Sequence, residues 1–210
     1  MAIRVLLADD HQIFRDGIRT ILEREGFQVV GEASDGHQAI GLAKDLHPDL
    51  GIIDFSMPRL NGIDAAREIL KEEPKTQMIL LTMYTEDQYV LKAISAGIRG
   101  YVVKTQAADD LIQAIRKIMR GAIYLSPGVS QDLLMTHLGR PGIPTDPLSA
   151  RERQVLQLVA EGNSTKGIAR LLDISFKTAE AHRTRIMQKL DIHETASLVR
   201  YAIRSGLVQP

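Results

Sequence analysis

The sequence predicts an α/β protein with a doubly wound, five-stranded parallel sheet, followed by a small all-α domain of four helices. Three observations lead to this prediction. Short apolar runs alternate with longer amphipathic segments as far as about residue 120, a proline-rich stretch then interrupts the alternation, and only helical patterns follow it. With 210 residues, of which 44% are hydrophobic and 25% charged, the chain has the size and composition of one or two globular domains.

Five βα units account for the first part of the chain. The predicted strands are residues 3–8, 27–32, 50–54, 77–82 and 100–103. Apolar residues recur at helical spacing in the segments that follow these strands, which are residues 11–25, 36–47, 61–72, 86–96 and 108–120. Because the strands are almost continuously apolar, we expect them to be parallel, joined by right-handed crossovers and covered by helices on both faces.

A proline-rich segment, residues 122–147, is predicted to link a first domain at residues 1–121 to a second at residues 148–210. Four of the eight prolines lie in this segment, which ends in Arg-Pro-Gly-Ile-Pro-Thr-Asp-Pro, a composition that sustains neither helix nor strand. A short helix is an open alternative within residues 128–138. The last residues of the segment should form a linker that its prolines stiffen.

Four helices are predicted in the second domain. Ser149 to Glu152 form a capping-box pattern at the start of the first helix, and Ser164 is placed to cap the second. Ser175 is placed to cap a third helix that ends near residue 190, and the fourth covers about residues 194–205. The second and third helices are joined by a three-residue turn, which is the layout of a helix-turn-helix.

Charge is distributed unevenly along a chain whose net charge is zero. Residues 147–210 contain ten basic and six acidic side chains, whereas the residues before them contain 16 basic and 20 acidic ones. The C-terminal part is therefore basic and the rest acidic. This asymmetry predicts that a polyanion would bind to the C-terminal part.

Composition also bears on the compartment. The absence of cysteine excludes disulfides and thiolate metal sites. No apolar stretch approaches the roughly 20 residues of a membrane helix, and the N-terminus enters a strand-like run without the features of an export signal. We therefore expect a cytoplasmic protein with no membrane partner.

Reactive side chains follow four of the predicted strands. Asp9 and Asp10 come after the first strand, Asp54 ends the third, Thr82 ends the fourth and Lys104 follows the fifth. The carboxyl ends of parallel strands converge at one edge of a sheet, where open α/β sheets bind their ligands. We therefore expect these residues to form one site.

The chemistry of such a site is that of phosphoryl transfer. Clustered carboxylates suit Mg²⁺, which prefers oxygen ligands. A carboxylate beside Mg²⁺ and a lysine can attack a phosphoryl donor, because both cations neutralise charge on the transferring oxygens. The product would be an aspartyl phosphate, with a charge of about −2 near neutral pH.

Each of these residues also has an ordinary structural interpretation. Asp9 or Asp10 could cap the helix that begins near residue 11, Lys104 could be a surface lysine, and Thr82 could simply end a strand. Asp54 is the exception, because an acid at a buried strand end is costly without partners. The four occupied strand ends together favour a functional site.

These residues resemble the receiver domain of two-component response regulators over about residues 1–120. The resemblance rests on Asp9-Asp10, on Asp54 with Met57-Pro58 and Gly62 after it, on Thr82, and on Lys104 preceded by Tyr101. It implies Asp54 as the phosphoacceptor.

The resemblance also assigns roles to the neighbouring residues. Mg²⁺ would be bound directly by Asp10, Asp54 and the main-chain carbonyl of Ser56, and mostly through water by Asp9. Lys104 would pair with the phosphate, Thr82 would move towards it, and Tyr101 would turn inward as the switch. Beside Thr82, the bulky Met83 and Tyr84 lead to the hypothesis that they crowd the phosphate and slow its hydrolysis.

The C-terminal helices resemble a LuxR-type helix-turn-helix over residues 148–207, and the two domains together resemble the NarL/FixJ class. The third helix would then be the DNA-recognition helix, with Ala179, Ile186 and Leu190 packed on the helix before it. Base-edge contacts are implied for Glu180, Ala181 and Thr184. Phosphate contacts are implied for Lys177, Thr178, Arg183, Arg185 and Lys189.

Two further assignments concern packing. His182 is expected to serve packing or a backbone contact, since no metal-ligand partners lie at suitable spacing. In the fourth helix, the apolar residues Leu198, Val199, Ala202 and Ile203 are a dimer contact by resemblance, with core packing as the alternative.

The implied function is a transcription regulator and not an enzyme. A sensor histidine kinase would phosphorylate Asp54, and the phosphorylated chain would dimerise and bind double-stranded promoter DNA. The sequence argues against three other functions. A phosphatase would need a second acid at position 56, which is Ser; an FMN carrier would need a phosphate-cradling loop; and an unphosphorylated docking module would not need the acid–Thr–Lys set.

Overall fold

The structure, a computed structural model, describes residues 2–129 and 146–208. The chain divides into two compact units, residues 1–143 and 144–210. Most of the predicted linker, and the helix considered within residues 128–138, lie outside the described residues. Among the residues that are described, no helix combines the length and the apolar character needed to cross a membrane.

The first unit is built on a parallel sheet of six strands in the order β2-β1-β3-β4-β5-β6. The strands are β1 (Arg4–Ala8), β2 (Gln28–Ala33), β3 (Leu50–Asp54), β4 (Gln77–Thr82), β5 (Gly100–Val103) and β6 (Tyr124–Leu125). The prediction of five strands was therefore wrong by one. The sheet extends past residue 121, where the first domain was predicted to end.

Helices cover both faces of this sheet, as the apolar strands predicted. They are α1 (Gln12–Arg24), α2 (Gly36–Leu46), α3 (Gly62–Glu72), α4 (Asp87–Ser95) and α5 (Ala107–Ile118). Successive strand residues point to opposite faces, so Ile52 belongs to one hydrophobic core and Ile53 to the other.

The unpredicted strand β6 is fixed by hydrogen bonds to β5 and α5. The backbone N–H of Ser126 donates to the Tyr101 carbonyl at 2.9 Å. The Ser126 hydroxyl accepts from the Val103 N–H at 3.0 Å and donates to the Asp110 carboxylate at 2.6 Å. Two residues are too few to show an alternating pattern, and Pro127 close behind them favours a loop.

Within residues 146–208 the second unit contains four helices: α6 (Ala150–Ala160), α7 (Thr165–Leu171), α8 (Phe176–Leu190) and α9 (Thr195–Arg204). The predicted caps are confirmed. Ser149 and Glu152 form a capping box, while Ser164 and Ser175 accept from the backbone N–H groups of Gly167 and Thr178. Leu156, Leu158 and Ile168 lie at the centre of a separate hydrophobic core.

Candidate functional site

The strand ends of the first unit converge on Lys104, as predicted. Its Nζ lies 2.7 Å from Asp9 Oδ2 and 2.8 Å from Asp54 Oδ1. Both acids are buried, whereas Asp10 is exposed beside them. Ligand atoms of Asp9, Asp10, His11 and Asp54 all lie within 4.8 Å of one another. A cation of the oxygen-preferring class suits this donor set, which is mostly carboxylate.

The backbone around Asp54 holds its side chain at the edge of the sheet. The N–H of Phe55 donates to the Leu81 carbonyl at 2.8 Å, and the Gly62 N–H donates to the Phe55 carbonyl at 2.9 Å. A Cβ at position 62 would collide with the main-chain oxygen of Asp54. Only glycine therefore allows the start of α3 to approach the strand end so closely.

Burial and charge oppose each other at this site. Burial raises the pKa of Asp54 to about 6, with the charges of Asp9 and Asp10 adding to the rise and Lys104 opposing it. Burial lowers the pKa of Lys104, but the charges and hydrogen bonds of Asp54 and Asp9 outweigh burial and leave the pKa raised. Lys104 is thus held as a cation between two buried carboxylates.

Thr82 and Tyr101 are connected through the backbone of Tyr84. The Thr82 hydroxyl accepts from the Tyr84 N–H at 3.1 Å, and the Tyr101 hydroxyl donates to the Tyr84 carbonyl at 3.0 Å. Both Thr82 and Tyr101 are buried, so Tyr101 points inward here. Its burial raises the pKa of its hydroxyl, which remains a neutral donor. Ser56 is half-buried next to the site.

The contacts that aromatic side chains make next to the site were not anticipated from the sequence. The ammonium group of Lys104 lies 4.6 Å from the centre of the Phe14 ring, a cation–π contact. The rings of Phe55, Tyr84 and Tyr89 pack against one another at centroid distances of 4.9–5.4 Å. The aromatic residues are visible in the sequence, but their spacing does not reveal that they meet.

In the second unit, seven of the eight predicted DNA-contacting residues are exposed along α8, and Arg183 is half-buried. The exposed residues are Lys177, Thr178, Glu180, Ala181, Thr184, Arg185 and Lys189. Within the described part of the chain, Lys177 and Arg185 form no ion pair. Both line a cleft of about 320 Å³, which also includes Thr178 and Ala181.

Two of the residues predicted to contact phosphates, Arg183 and Lys189, have partners inside the unit. Arg183 donates to the hydroxyls of Thr165 and Thr195, which connects α8 to α7 and α9. Lys189 pairs with the buried Glu152 at 2.7 Å, and its hydrogen bond helps to lower the pKa of that acid despite burial. The spacing of Arg183 and Lys189 along α8 does not predict these contacts with other helices.

The residues of α8 and α9 that were predicted to pack differ in how deeply they are buried. Ala179 and Ile186 are buried in the core against neighbouring helices, as predicted. His182 has a buried Nδ1 with no hydrogen-bond partner among the described residues, and burial together with the charges of Arg151 and Arg185 lowers its pKa. In α9, Leu198 and Ala202 are buried in the core, so they are not available for the predicted dimer contact, whereas Val199 and Ile203 are only half-buried.

Comparisons with known proteins agree with this geometry. Residues 5–116 match the response regulator receiver domain, and residues 146–202 match the bacterial regulatory proteins of the luxR family. The response regulator UvrY of Escherichia coli is 36% identical over 208 residues, covering 98% of this chain and 95% of UvrY. The response regulator GacA of Pseudomonas aeruginosa is 35% identical over 209 residues, covering 98% of each chain.

Solved structures of response regulators are also similar to this chain. RcsB of Salmonella typhimurium has a TM-score of 0.59 and 31% identity, covering 95% of this chain and 98% of RcsB. RcsB in a complex with DNA has a TM-score of 0.59 and 32% identity, covering 96% of this chain and 98% of that RcsB chain. A parallel sheet with an acid–lysine site, joined to a helix-turn-helix, defines a response regulator. The chain belongs to this family, and within it to the NarL/FixJ class.

Proposed function

We propose that Asp54 accepts a phosphoryl group from a sensor histidine kinase and that this phosphorylation controls dimerisation and DNA binding. The observation that carries the proposal is Lys104, which bridges the buried Asp9 and Asp54 beside an acidic cluster. Mg²⁺ would be held by Asp10, Asp54 and the main-chain carbonyl of Ser56, with Asp9 acting mostly through water. When bound, it would neutralise negative charge on the transferring phosphoryl oxygens.

The residues of the chain divide the transfer between them. A carboxylate oxygen of Asp54 forms the new bond to phosphorus while the bond from phosphorus to the donor nitrogen breaks. Lys104, already 2.8 Å from Asp54, pairs with a phosphoryl oxygen. Thr82 moves to donate its hydroxyl to another phosphoryl oxygen, and so loses the hydrogen bond that it accepts from the Tyr84 N–H. This loss would alter the hydrogen bond from the Tyr101 hydroxyl to the Tyr84 carbonyl.

Mass spectrometry after incubation with acetyl phosphate and Mg²⁺ tests the acceptor. The wild-type chain should gain one phosphoryl group, and Asp54→Asn should gain none. Asp45→Asn, which removes an acid on α2 away from the strand ends, is the matched control and should react like the wild type. A phosphorylated Asp54→Asn chain would refute the assignment of the acceptor.

The output is proposed to be DNA binding by the second unit. Lys177, Thr178 and Arg185 would contact phosphates, which position the protein, while Glu180, Ala181 and Thr184 would contact base edges, which specify the sequence. The intradomain partners of Arg183 and Lys189 favour structural roles for those two residues. Val199 and Ile203 of α9 would contribute to a dimer contact.

DNA selection tests whether phosphorylation controls this output. Random duplexes are selected with wild-type protein and with Asp54→Asn, each with and without a phosphoryl donor. Only the phosphorylated wild type should enrich a common sequence strongly. Equal binding by all four samples would contradict the switch. Because position 56 is Ser, where a phosphatase would need an acid, we propose that the chain is a regulator and not an enzyme. A regulator that binds DNA would act in the cytoplasm.

The lifetime of the phosphorylated state is proposed to depend on Met83. Its side chain is 58% exposed and directly follows Thr82, while Tyr84 is held against Phe55. A bulky group at this point would limit the approach of water to the phosphate. Met83→Ala should therefore shorten the half-life of the phosphorylated chain, measured after removal of the donor. An unchanged half-life would show that Met83 has no such role.

A further inference from the structure

A large apolar side chain is exposed at the start of the recognition helix. Phe176 is the first residue of α8, and 53% of its surface is exposed. An exposed phenylalanine gives up the stabilisation that burial of its ring would bring. The helix cannot turn to bury it, because Ala179 and Ile186 on another side of α8 are fixed in the core at 1% exposure each.

The position of Phe176 places it among the residues proposed to meet base edges. Residues four apart on a helix are neighbours, so Phe176 adjoins Glu180, which in turn adjoins Thr184. All three are exposed. In a helix-turn-helix bound to DNA, the N-terminal residues of the second helix contact base edges in the major groove. Phe176 occupies that N-terminal position.

The first turn of α8 is also held in place before any ligand binds. The Ser175 hydroxyl accepts from the Thr178 N–H at 3.0 Å and lies 2.8 Å from the Thr178 hydroxyl. Lys177 follows Phe176 directly, and it forms no ion pair within the described part of the chain. An apolar ring presented next to a cation fits a polyanion that carries an apolar group.

Thymine supplies such a group in the major groove. Its 5-methyl group is the apolar feature that distinguishes it from the other bases there, and phenylalanine is one of the side chains that can meet it. We propose that Phe176 contacts the methyl group of a thymine and is a specificity-determining residue. The inference rests on the proposed binding of DNA by this unit.

Replacement of thymine by deoxyuridine tests this contact, since it removes the methyl group alone. A site is selected from random duplexes with the full-length chain in the presence of acetyl phosphate and Mg²⁺. Each thymine is then replaced singly, and Kd is measured for the wild type. Loss of one buried methyl group should weaken binding about fourfold at the thymine that Phe176 contacts.

Variants of Phe176 assign that effect to its ring. Phe176→Ala should bind thymine and deoxyuridine equally at that position, whereas Phe176→Leu should retain part of the preference. Leu171→Ala is the matched control, because Leu171 is similarly exposed at 48% but lies on α7; it should keep the fourfold ratio. A methyl contact made by Ala181 would persist in Phe176→Ala at a different thymine.

The failures of the two proposals are distinguishable. A selected site at which no thymine is sensitive to deoxyuridine, or at which every sensitivity survives in Phe176→Ala, would overturn the role of Phe176 alone. Failure to enrich any DNA sequence would overturn the proposed DNA binding and this inference with it. Loss of the fourfold thymine-to-deoxyuridine ratio in Leu171→Ala as well would overturn the role of Phe176, because the effect would then depend on exposed apolar surface in general.

Discussion

Replacement of Asp54 by Asn is expected to stabilise the metal-free protein. The raised pKa of Asp54 means that the folded protein binds this proton more tightly than the unfolded chain does, so above pH 6 the ionised carboxylate destabilises the fold. A pKa of about 6 in place of 3.8 corresponds to about 3 kcal/mol at pH 7.5. Asn has no charge to desolvate and keeps an oxygen that can accept from Lys104.

The sign and size of this effect depend on pH. As pH falls through 6, the wild-type carboxylate takes up its proton and the difference between the two proteins shrinks. It should be about 1 kcal/mol at pH 4.5 and should disappear below the unfolded-chain pKa of 3.8. At pH 7.5, Mg²⁺ at about ten times its Kd should stabilise the wild type by about 1.4 kcal/mol, and Asp54→Asn by less, since the variant lacks one proposed ligand.

Urea unfolding in EDTA at pH 7.5 and pH 4.5 measures these differences. Glu72→Gln is the control for loss of one negative charge, because Glu72 is exposed on α3, and it should change the free energy of unfolding by less than about 0.5 kcal/mol. The reasoning would be refuted if Asp54→Asn were no more stable than the wild type at pH 7.5. A stability gain of equal size at both pH values would refute it too.

Three further substitutions separate structural from functional contacts. Tyr101→Phe should lower the free energy of unfolding by about 1 kcal/mol in urea titrations, because it removes the hydrogen bond to the Tyr84 carbonyl; no loss would mean that the bond contributes nothing. Arg185→Ala should weaken binding to every DNA sequence and reduce the slope of log K against log salt by about one unit, and an unchanged slope would contradict its phosphate contact. Lys189→Ala should instead leave the salt slope unchanged and cost about 1–3 kcal/mol of stability in urea unfolding, since the buried Glu152 would lose its cationic partner and keep only the capping hydrogen bond from the Ser149 N–H.

The sequence was sufficient to predict most of the fold because its patterns are strong. Buried parallel strands appear as short apolar runs, so the observed bounds of β3, β4 and β5 coincide with the predicted ones. Serine caps likewise located the starts of α6, α7 and α8. Strand β6 was missed because pairing of two residues depends on a neighbouring strand and leaves no periodic pattern of its own.

The candidate sites were predictable to different extents. Convergence of Asp9, Asp54 and Lys104 follows from the parallel arrangement of the strands, since parallel strand ends share one edge. The ion pair of Lys189 with Glu152 did not follow from the sequence, because it joins residues on two helices whose packing is a tertiary property. Helical spacing identifies an outward face but not the partners that some of its side chains find within the unit.

Strand β6 has a consequence for solubility as well as for the fold. Without it, the entirely apolar strand β5 would present unpaired backbone groups at the edge of the sheet, where a strand from another chain could pair. The strand that replaces it at the edge is only two residues long and is soon followed by Pro127, which has no N–H to donate. The short segment behind α5 thus makes this edge of the sheet a poor template for pairing with a further chain, whereas β2 forms the opposite edge.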